Sequence, residues 1–156
     1  MSGQRLGIEC LRRLSVIYPI EDINPSTMSI CGVTLSPGKI EAGTSTGLGH
    51  LAHMLQLVAL YQGVYMIYPI ICMGSRSGIK DPISVTSVGN GTFPLYPKGT
   101  DRYRFDYAVF LLGKDIEQIC QISKVPVKDV RNLVLNLSRF LNHQLHDAGE
   151  QGVKVL

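Results

Sequence analysis

The stretch Tyr68-Pro69-Ile70-Ile71-Cys72-Met73-Gly74-Ser75-Arg76-Ser77-Gly78-Ile79-Lys80-Asp81 runs an apolar segment into an abrupt Gly-Ser-Arg-Ser break. Residues 64–73 are rich in Val, Tyr and Ile, the composition of a buried strand. Pro69 has no N–H to give to a ladder, which puts that strand at a sheet edge or on a bulge. Beyond the break, 77–80 and 83–88 are further strand candidates, the second alternating through Ile83, Val85 and Ser87. Gly89-Asn90-Gly91 is a turn. Phe93-Pro94-Leu95-Tyr96-Pro97-Lys98-Gly99, with two prolines, is an extended connector.

Helical periodicity flanks this region. In residues 4–17, Leu6, Cys10, Leu14 and Ile17 fall on one stripe, with Leu11 beside it, and Pro19 ends the pattern. Residues 28–35 alternate well enough for one strand, closed by Ser36-Pro37-Gly38. In 47–62, Leu48, Leu51, Leu55 and Val58 form a stripe; Thr44, Ser45 or Thr46 can cap its start, and Gly63 suits its end. Residues 102–122 carry Phe105, Val109, Leu112, Ile116 and Ile119 on one face. A last helix is predicted over 126–146, with Pro126 in its first turn and Val130, Val134, Leu137, Leu141 and Leu145 as its stripe. Short strands bracketed by helices predict an α+β fold, with helices packed on small, mostly antiparallel sheets. The organisation expected is a helix over 1–18, a globular unit over 19–148 and a flexible tail over 149–156.

At 156 residues the chain can bury a sizeable core, and its 45% hydrophobic against 17% charged content leaves apolar surface for a partner to cover. A net charge of +3 without a dense basic run does not point to nucleic acid. No apolar run approaches the roughly 18 residues of a membrane span, so membrane contact would be peripheral. Cys10, Cys31, Cys72 and Cys120 form no CxxC pair. They read as buried free thiols in a reducing compartment rather than as a zinc site. Asn90-Gly91-Thr92 fits a glycosylation acceptor, which a cytosolic chain would not use.

Chemistry-bearing clusters are few. Gly74-Ser75-Arg76-Ser77 can form a backbone nest for an anion such as a phosphate or phosphoinositide headgroup, with Lys80 nearby. It lacks P-loop spacing, and a tight turn with Arg76 paired to Asp81 is the plainer reading. Tyr96 and Tyr103, beside Lys98, Arg102 and Arg104, make a second surface able to touch anionic lipid. His50 and His53, and again His143 and His146, sit three apart. The first pair reads as a solvated helix face, the second as a helix end where a protonated imidazole suits the dipole. Gly43-Thr44-Ser45-Thr46-Gly47 only loosely resembles GxSxG and reads as a loop leading into a helix. Asp101, Asp106, Asp115 and Glu117 are spaced as the polar side of a helix. No catalytic residues, metal ligands or cofactor follow from these patterns.

Several segments, in one consistent order, resemble the C-terminal domain of the UV-radiation-resistance-associated protein family. They include Leu14-Ser15-Val16-Ile17-Tyr18-Pro19-Ile20, Ile30-Cys31-Gly32-Val33-Thr34-Leu35 and Gly47-Leu48-Gly49-His50-Leu51-Ala52-His53-Met54. The order continues with Tyr68-Pro69-Ile70-Ile71, Gly74-Ser75-Arg76-Ser77, Ile79-Lys80-Asp81, the 93–99 segment and Phe105-Asp106-Tyr107. The resemblance implies a β-sheet–α-helix repeat domain similar to that of Beclin. It implies a non-catalytic scaffold subunit of the class III phosphatidylinositol 3-kinase complex, acting in endosomal trafficking and autophagy. Its partner would be a Beclin-type subunit, and its place the cytoplasm and the periphery of endosomal and autophagic membranes. The family's C2 domain and coiled coil are not among these residues, which makes 1–18 the expected stub of the coiled coil. On this reading Leu6, Cys10, Leu14 and Ile17 are the candidate partner face. Ser75, Arg76, Ser77, Lys80, Tyr96, Lys98 and Arg102 are the candidate anion or membrane contacts. The alternative is a stand-alone phosphoinositide- or anion-binding membrane module; an unrecognised enzyme is a third.

Overall fold

The computed structural model describes residues 2–24, 27–36, 38–83, 91–99 and 101–153, with side chains described over 7–21, 28–36, 38–83, 91–99 and 101–146. The first helix, α1 (Ser2–Ile17), leads into strands β1 (Ile20–Asn24), β2 (Thr27–Ile30) and β3 (Val33–Leu35), then helix α2 (Thr44–Gln62). Strands β4 (Ile70–Ile71), β5 (Gly78–Lys80) and β6 (Thr92–Pro94) follow, then helices α3 (Arg102–Ile122) and α4 (Leu133–Val153). Each trio of strands forms its own antiparallel sheet, in the order β1-β2-β3 and β4-β5-β6. The fold is α+β, and a three-stranded sheet followed by a helix occurs twice in it.

The 28–35 segment is two strands rather than one. Cys31 and Gly32 both have positive φ, 52° and 78°, and Ile30 pairs with Val33 across them. Two left-handed residues in a two-residue loop are the signature of a type I′ hairpin, whose twist matches the strands it joins. Cys at the first of these positions is not a usual turn residue, so the alternation reads straight through it. Strand β1 pairs with β2 from Ile20↔Ile30 onward.

The 64–73 segment is mostly not a strand. Only Ile70–Ile71 pairs, because Pro69 can offer its carbonyl (to Lys80 N–H, 2.8 Å) but no N–H. Ile70, Ile79 and Phe93 lie in register across β4, β5 and β6 and are all buried, which turns this sheet's apolar face to the core. Of the 83–88 strand candidate, 84–90 lie outside the described residues.

Helix α2 contacts α1, α3 and strands of both sheets. Leu48, Leu51, Ala52, Met54, Leu55, Val58 and Ala59 are buried, an arc much wider than one stripe, as expected of a helix covered from several sides. Gly63, at φ 68°, ends it in the left-handed conformation that glycine adopts without steric cost. Its start differs from expectation. Gly43 is the N-cap without a side-chain bond, and the Thr44 hydroxyl instead accepts the Glu41 N–H at 2.8 Å.

Helix α3 occupies the expected 102–122. Helix α4 starts seven residues later than Pro126. Asp129 accepts the Arg131 N–H at 2.9 Å, a side-chain turn that competes with helix, and Asn136 donates to the Asp129 carbonyl at 2.8 Å. Gly113 permits the close approach, since a Cβ there would lie 2.7 Å from the Val130 carbonyl oxygen. The helix then continues through Val153, across 149–153 where the sequence suggests a tail, while 154–156 lie outside the described residues.

Candidate functional site

The Gly-Ser-Arg-Ser break is a short 3-10 turn over Gly74–Arg76. The Ser77 hydroxyl donates to the Gly74 carbonyl at 2.7 Å and accepts the Met73 N–H at 3.0 Å, and Ser77 is buried. That hydroxyl closes the turn and is not offered to a ligand. The turn seats on α2 at Gly49, where a Cβ would overlap the Gly74 carbonyl group. The segments 47–54 and 74–77 are therefore one physical unit.

Asp81 does not pair with Arg76. It accepts the Tyr107 hydroxyl and the Ile83 N–H (3.0 Å), and its own N–H donates to Gly91 O (2.8 Å). Arg76 instead lies with its guanidinium carbon 5.9 Å from the Tyr96 ring centre. Arg76, Ser77 and Tyr96 line one cleft of about 460 Å³ with Arg104, Asp101 and Thr92. Ser75, Lys80 and Lys98 are exposed and do not line it. Arg102 is drawn away: it pairs with Asp106 at 2.9 Å and donates to the Gly38 carbonyl. It stands instead over a second, apolar cleft of about 310 Å³ lined by Leu35, Ile40, Leu48, Phe105, Val109 and Leu133. Tyr103 is exposed.

The α1 stripe divides. Leu14 is buried with Leu11 in the chain's own core, Cys10 is half-buried, and Ile17 is 64% exposed next to Val16 at 80%. The side chain of Leu6 lies outside the described residues. Helix α1 packs on α2 and α4, which is what takes Leu14 inside.

His50 and His53 are more than a solvated face. Their rings pack around Tyr18, centres 5.9 and 5.6 Å away, and the Tyr18 hydroxyl is hydrogen-bonded to His53 Nδ1. Burial and the nearby Cys31 and Cys72 thiols push the Tyr18 hydroxyl pKa up. Burial likewise raises the Cys31 and Cys72 thiols, and pushes Cys120 up to about 11 with help from Glu117. Among the described residues no group of three or more His, Cys, Asp or Glu side chains could hold a metal ion. His143 and His146 lie well before the end of α4 rather than in its last turn.

Asp115 is the group the sequence pattern misplaces. It is fully buried rather than on the polar side of α3. Its Oδ1 accepts the Tyr68 N–H at 3.1 Å, and its Oδ2 has no partner. Burial, opposed by that bond, pushes its pKa up to about 7. One turn on, Gln118 donates to the Tyr65 carbonyl (3.0 Å) and accepts the Ile67 N–H (3.0 Å). These two side chains supply the partners that a strand would have given 64–68, and they leave Tyr65 96% exposed. The available signal was spacing, since Leu111, Asp115 and Ile119 share one helix face.

No family model matches the chain. It is 37% identical over 92% of its length to the UV radiation resistance-associated protein of Mus musculus. This chain belongs to the UV radiation resistance-associated protein family. It is also 32% identical over 82% of its length to vacuolar protein sorting-associated protein 38 of Schizosaccharomyces pombe. A UV radiation resistance-associated gene protein of Drosophila melanogaster is 25% identical over 69% of the chain. The chain spans 22%, 28% and 18% of the lengths of these relatives.

Proposed function

We propose that this chain is a non-catalytic scaffold domain of a class III phosphatidylinositol 3-kinase complex, acting in endosomal and vacuolar sorting and in autophagy. It pairs with a Beclin-type subunit and helps seat the complex on membranes. The observation that carries this reading is the 37% identity to the mouse relative across nearly the whole chain, joined by a relative named for vacuolar protein sorting. The structure adds physical support. The Ser77 hydroxyl, His53 and Asp81 are engaged in holding turns and helices together. Val16, Ile17, Leu60, Tyr65, Ile67, Phe110 and Ile122 are meanwhile left exposed, as an interaction domain would leave them.

Within this proposal the partner face includes the exposed end of α1, Val16 and Ile17, while Leu14 serves the fold. Co-expression with a Beclin-type subunit tests it. Stable co-purification of the chain supports the reading, and a chain that elutes alone at all concentrations overturns it.

A second reading, a phosphoinositide- or anion-binding membrane module, is favoured by the Arg76, Tyr96 and Arg104 cleft. Flotation of the chain with anionic against neutral vesicles tests it; equal recovery with both removes it.

A further inference from the structure

The arginines whose side chains are described fall into two groups. Arg12, Arg13, Arg102 and Arg131 each meet a carboxylate, at 3.8, 3.7, 2.9 and 3.0 Å. Arg76, Arg104 and Arg139 meet none among the described residues, and of these three Arg76 and Arg104 line the 460 Å³ cleft. That volume is within the roughly 300–1,000 Å³ of small-molecule sites.

Each of the two is held by an aromatic face. Arg76 lies 5.9 Å from the Tyr96 ring centre, and Arg104 lies 5.5 Å from that of Phe93. Arg104 Nη2 donates to the Thr92 carbonyl at 2.8 Å, which fixes the guanidinium against β6. Its Nε is sealed from solvent with no acceptor, an unmet donor on a cation. A ring face orients a guanidinium without neutralising it; the exposed Arg76 keeps its N–H edge available, while Arg104 brings its fixed positive charge.

We propose that the Arg76–Arg104 cleft binds a phosphate monoester. Two separate guanidiniums match a group carrying about −1.5 to −2 charge better than a singly charged carboxylate, and the planar fork of Arg76 suits its oxygens. Thr92 and Tyr96 complete the wall. Asp101 stands on the same wall and opposes the anion, which makes it an internal check. The proposal deepens the anion-binding reading and rests on it, not on the kinase-complex assignment. It differs from the nest expected at Gly74–Ser77, because Ser77 is spent on its own turn, Lys80 does not line the cleft and Arg102 is bonded to Asp106 and Gly38.

The test is titration calorimetry of the 156-residue chain with inositol monophosphate and with inorganic phosphate. A parallel arm uses phosphatidylcholine vesicles with and without a phosphatidylinositol monophosphate. Saturable binding in any phosphate-bearing arm is expected, weakened about tenfold or more by Arg76→Gln and by Arg104→Gln, and strengthened by Asp101→Asn. Binding confined to the doped vesicles assigns the phosphate to a lipid headgroup; binding of the soluble ester alone assigns it to a free metabolite. No saturable binding in any arm, or Arg76→Gln binding as well as the parent, overturns the proposal. Arg104→Gln loses the bond to Thr92 and can unfold; Arg76, exposed and held only by a ring, keeps the test valid. Co-purification with a Beclin-type subunit, measured on the same variants, reports separately on the scaffold reading.

Discussion

The carbonyl of Gly74 lies directly against the α-carbon of Gly49, so that the turn after β4 and the first half of α2 touch backbone to backbone. A Cβ on residue 49 would sit 2.8 Å from the Gly74 carbonyl carbon, with no flexible side chain to move aside. Gly49→Ala is expected to destabilise the chain by roughly 2 kcal/mol or more, the overpacking cost exceeding the gain of about 1 kcal/mol in helix propensity. Gly47→Ala meets only the side chains of Val33 and Leu35 and should cost less. Thermal melts of both variants decide it; equal melting temperatures for Gly49→Ala and the parent would show that the contact is slack.

Ser77 and Ser75 separate a structural turn from a ligand nest. Ser77→Ala removes a buried hydroxyl that both donates to Gly74 O and accepts from Met73 N, at an expected cost of about 1–3 kcal/mol. Ser75→Ala, on an exposed side chain, should stay within about 0.5 kcal/mol of the parent. Denaturant midpoints measure the two. A neutral Ser77→Ala contradicts the structural role.

Asp115 makes stability depend on pH. In the folded chain its pKa is about 7, against an ordinary 3.8. Between those values the unfolded chain releases the proton while the folded chain keeps it. The Asp115 contribution to stability is therefore most favourable below pH 3.8, falls as pH rises to about 7, and levels off above. The difference is on the order of 4 kcal/mol, at about 1.4 kcal/mol per pH unit. Asp115→Asn keeps an acceptor for the Tyr68 N–H and cannot ionise. It should flatten the pH profile and raise the melting temperature at about pH 8 more than at about pH 5. Parallel profiles for the two proteins would remove Asp115 as the source.

Helix α1 offers a contrast between core and surface. Leu14→Asp places a charge in a site only 2% exposed and is expected to unfold the chain, a loss of several kcal/mol. Ile17→Glu, on an exposed position, should leave the melt nearly unchanged and lower recovery with a Beclin-type subunit. Full recovery of Ile17→Glu would take the end of α1 out of the proposed interface.

Tyr18 and His53 are expected to be coupled. A double-mutant cycle with Tyr18→Phe and His53→Ala should return an interaction energy of about 1 kcal/mol, as for a single net hydrogen bond. Strictly additive effects would mean that the two side chains act independently.

The long elements were legible because periodicity is a local property. The stripes of α2 and α3 repeat through many turns, and Gly63 ends α2 at the residue where its missing Cβ allows a positive φ. The family resemblance, carried by ordered segments, also implied the repeat of sheet and helix. What failed to read was backbone pairing of short segments. Cys31-Gly32 turns a hairpin with Cys where Asn, Asp or Gly is usual, and Pro69 leaves most of 64–73 without a ladder. Helix α4 starts later than Pro126 suggests because the Asp129 side-chain turn and the close packing at Gly113 outweigh a proline that suits a first turn. In the candidate site, Arg76 and Tyr96, both candidate contacts on sequence grounds, do meet. Sequence places Arg104 only beside the Tyr96 and Tyr103 surface, whereas its position against Phe93 and Thr92 makes it a wall of the cleft.

Residue type and spacing along one chain suffice for the α+β class, the helical faces of α2 and α3 and the family. The folded chain alone reveals that Gly74–Ser77 is a seat on Gly49, that Leu14 faces the core, that Asp115 is buried, and that Arg76 and Arg104 share a cleft. Each of these depends on which residues distant in sequence approach one another. That approach is set by the packing of two sheets around α2, which no local pattern contains.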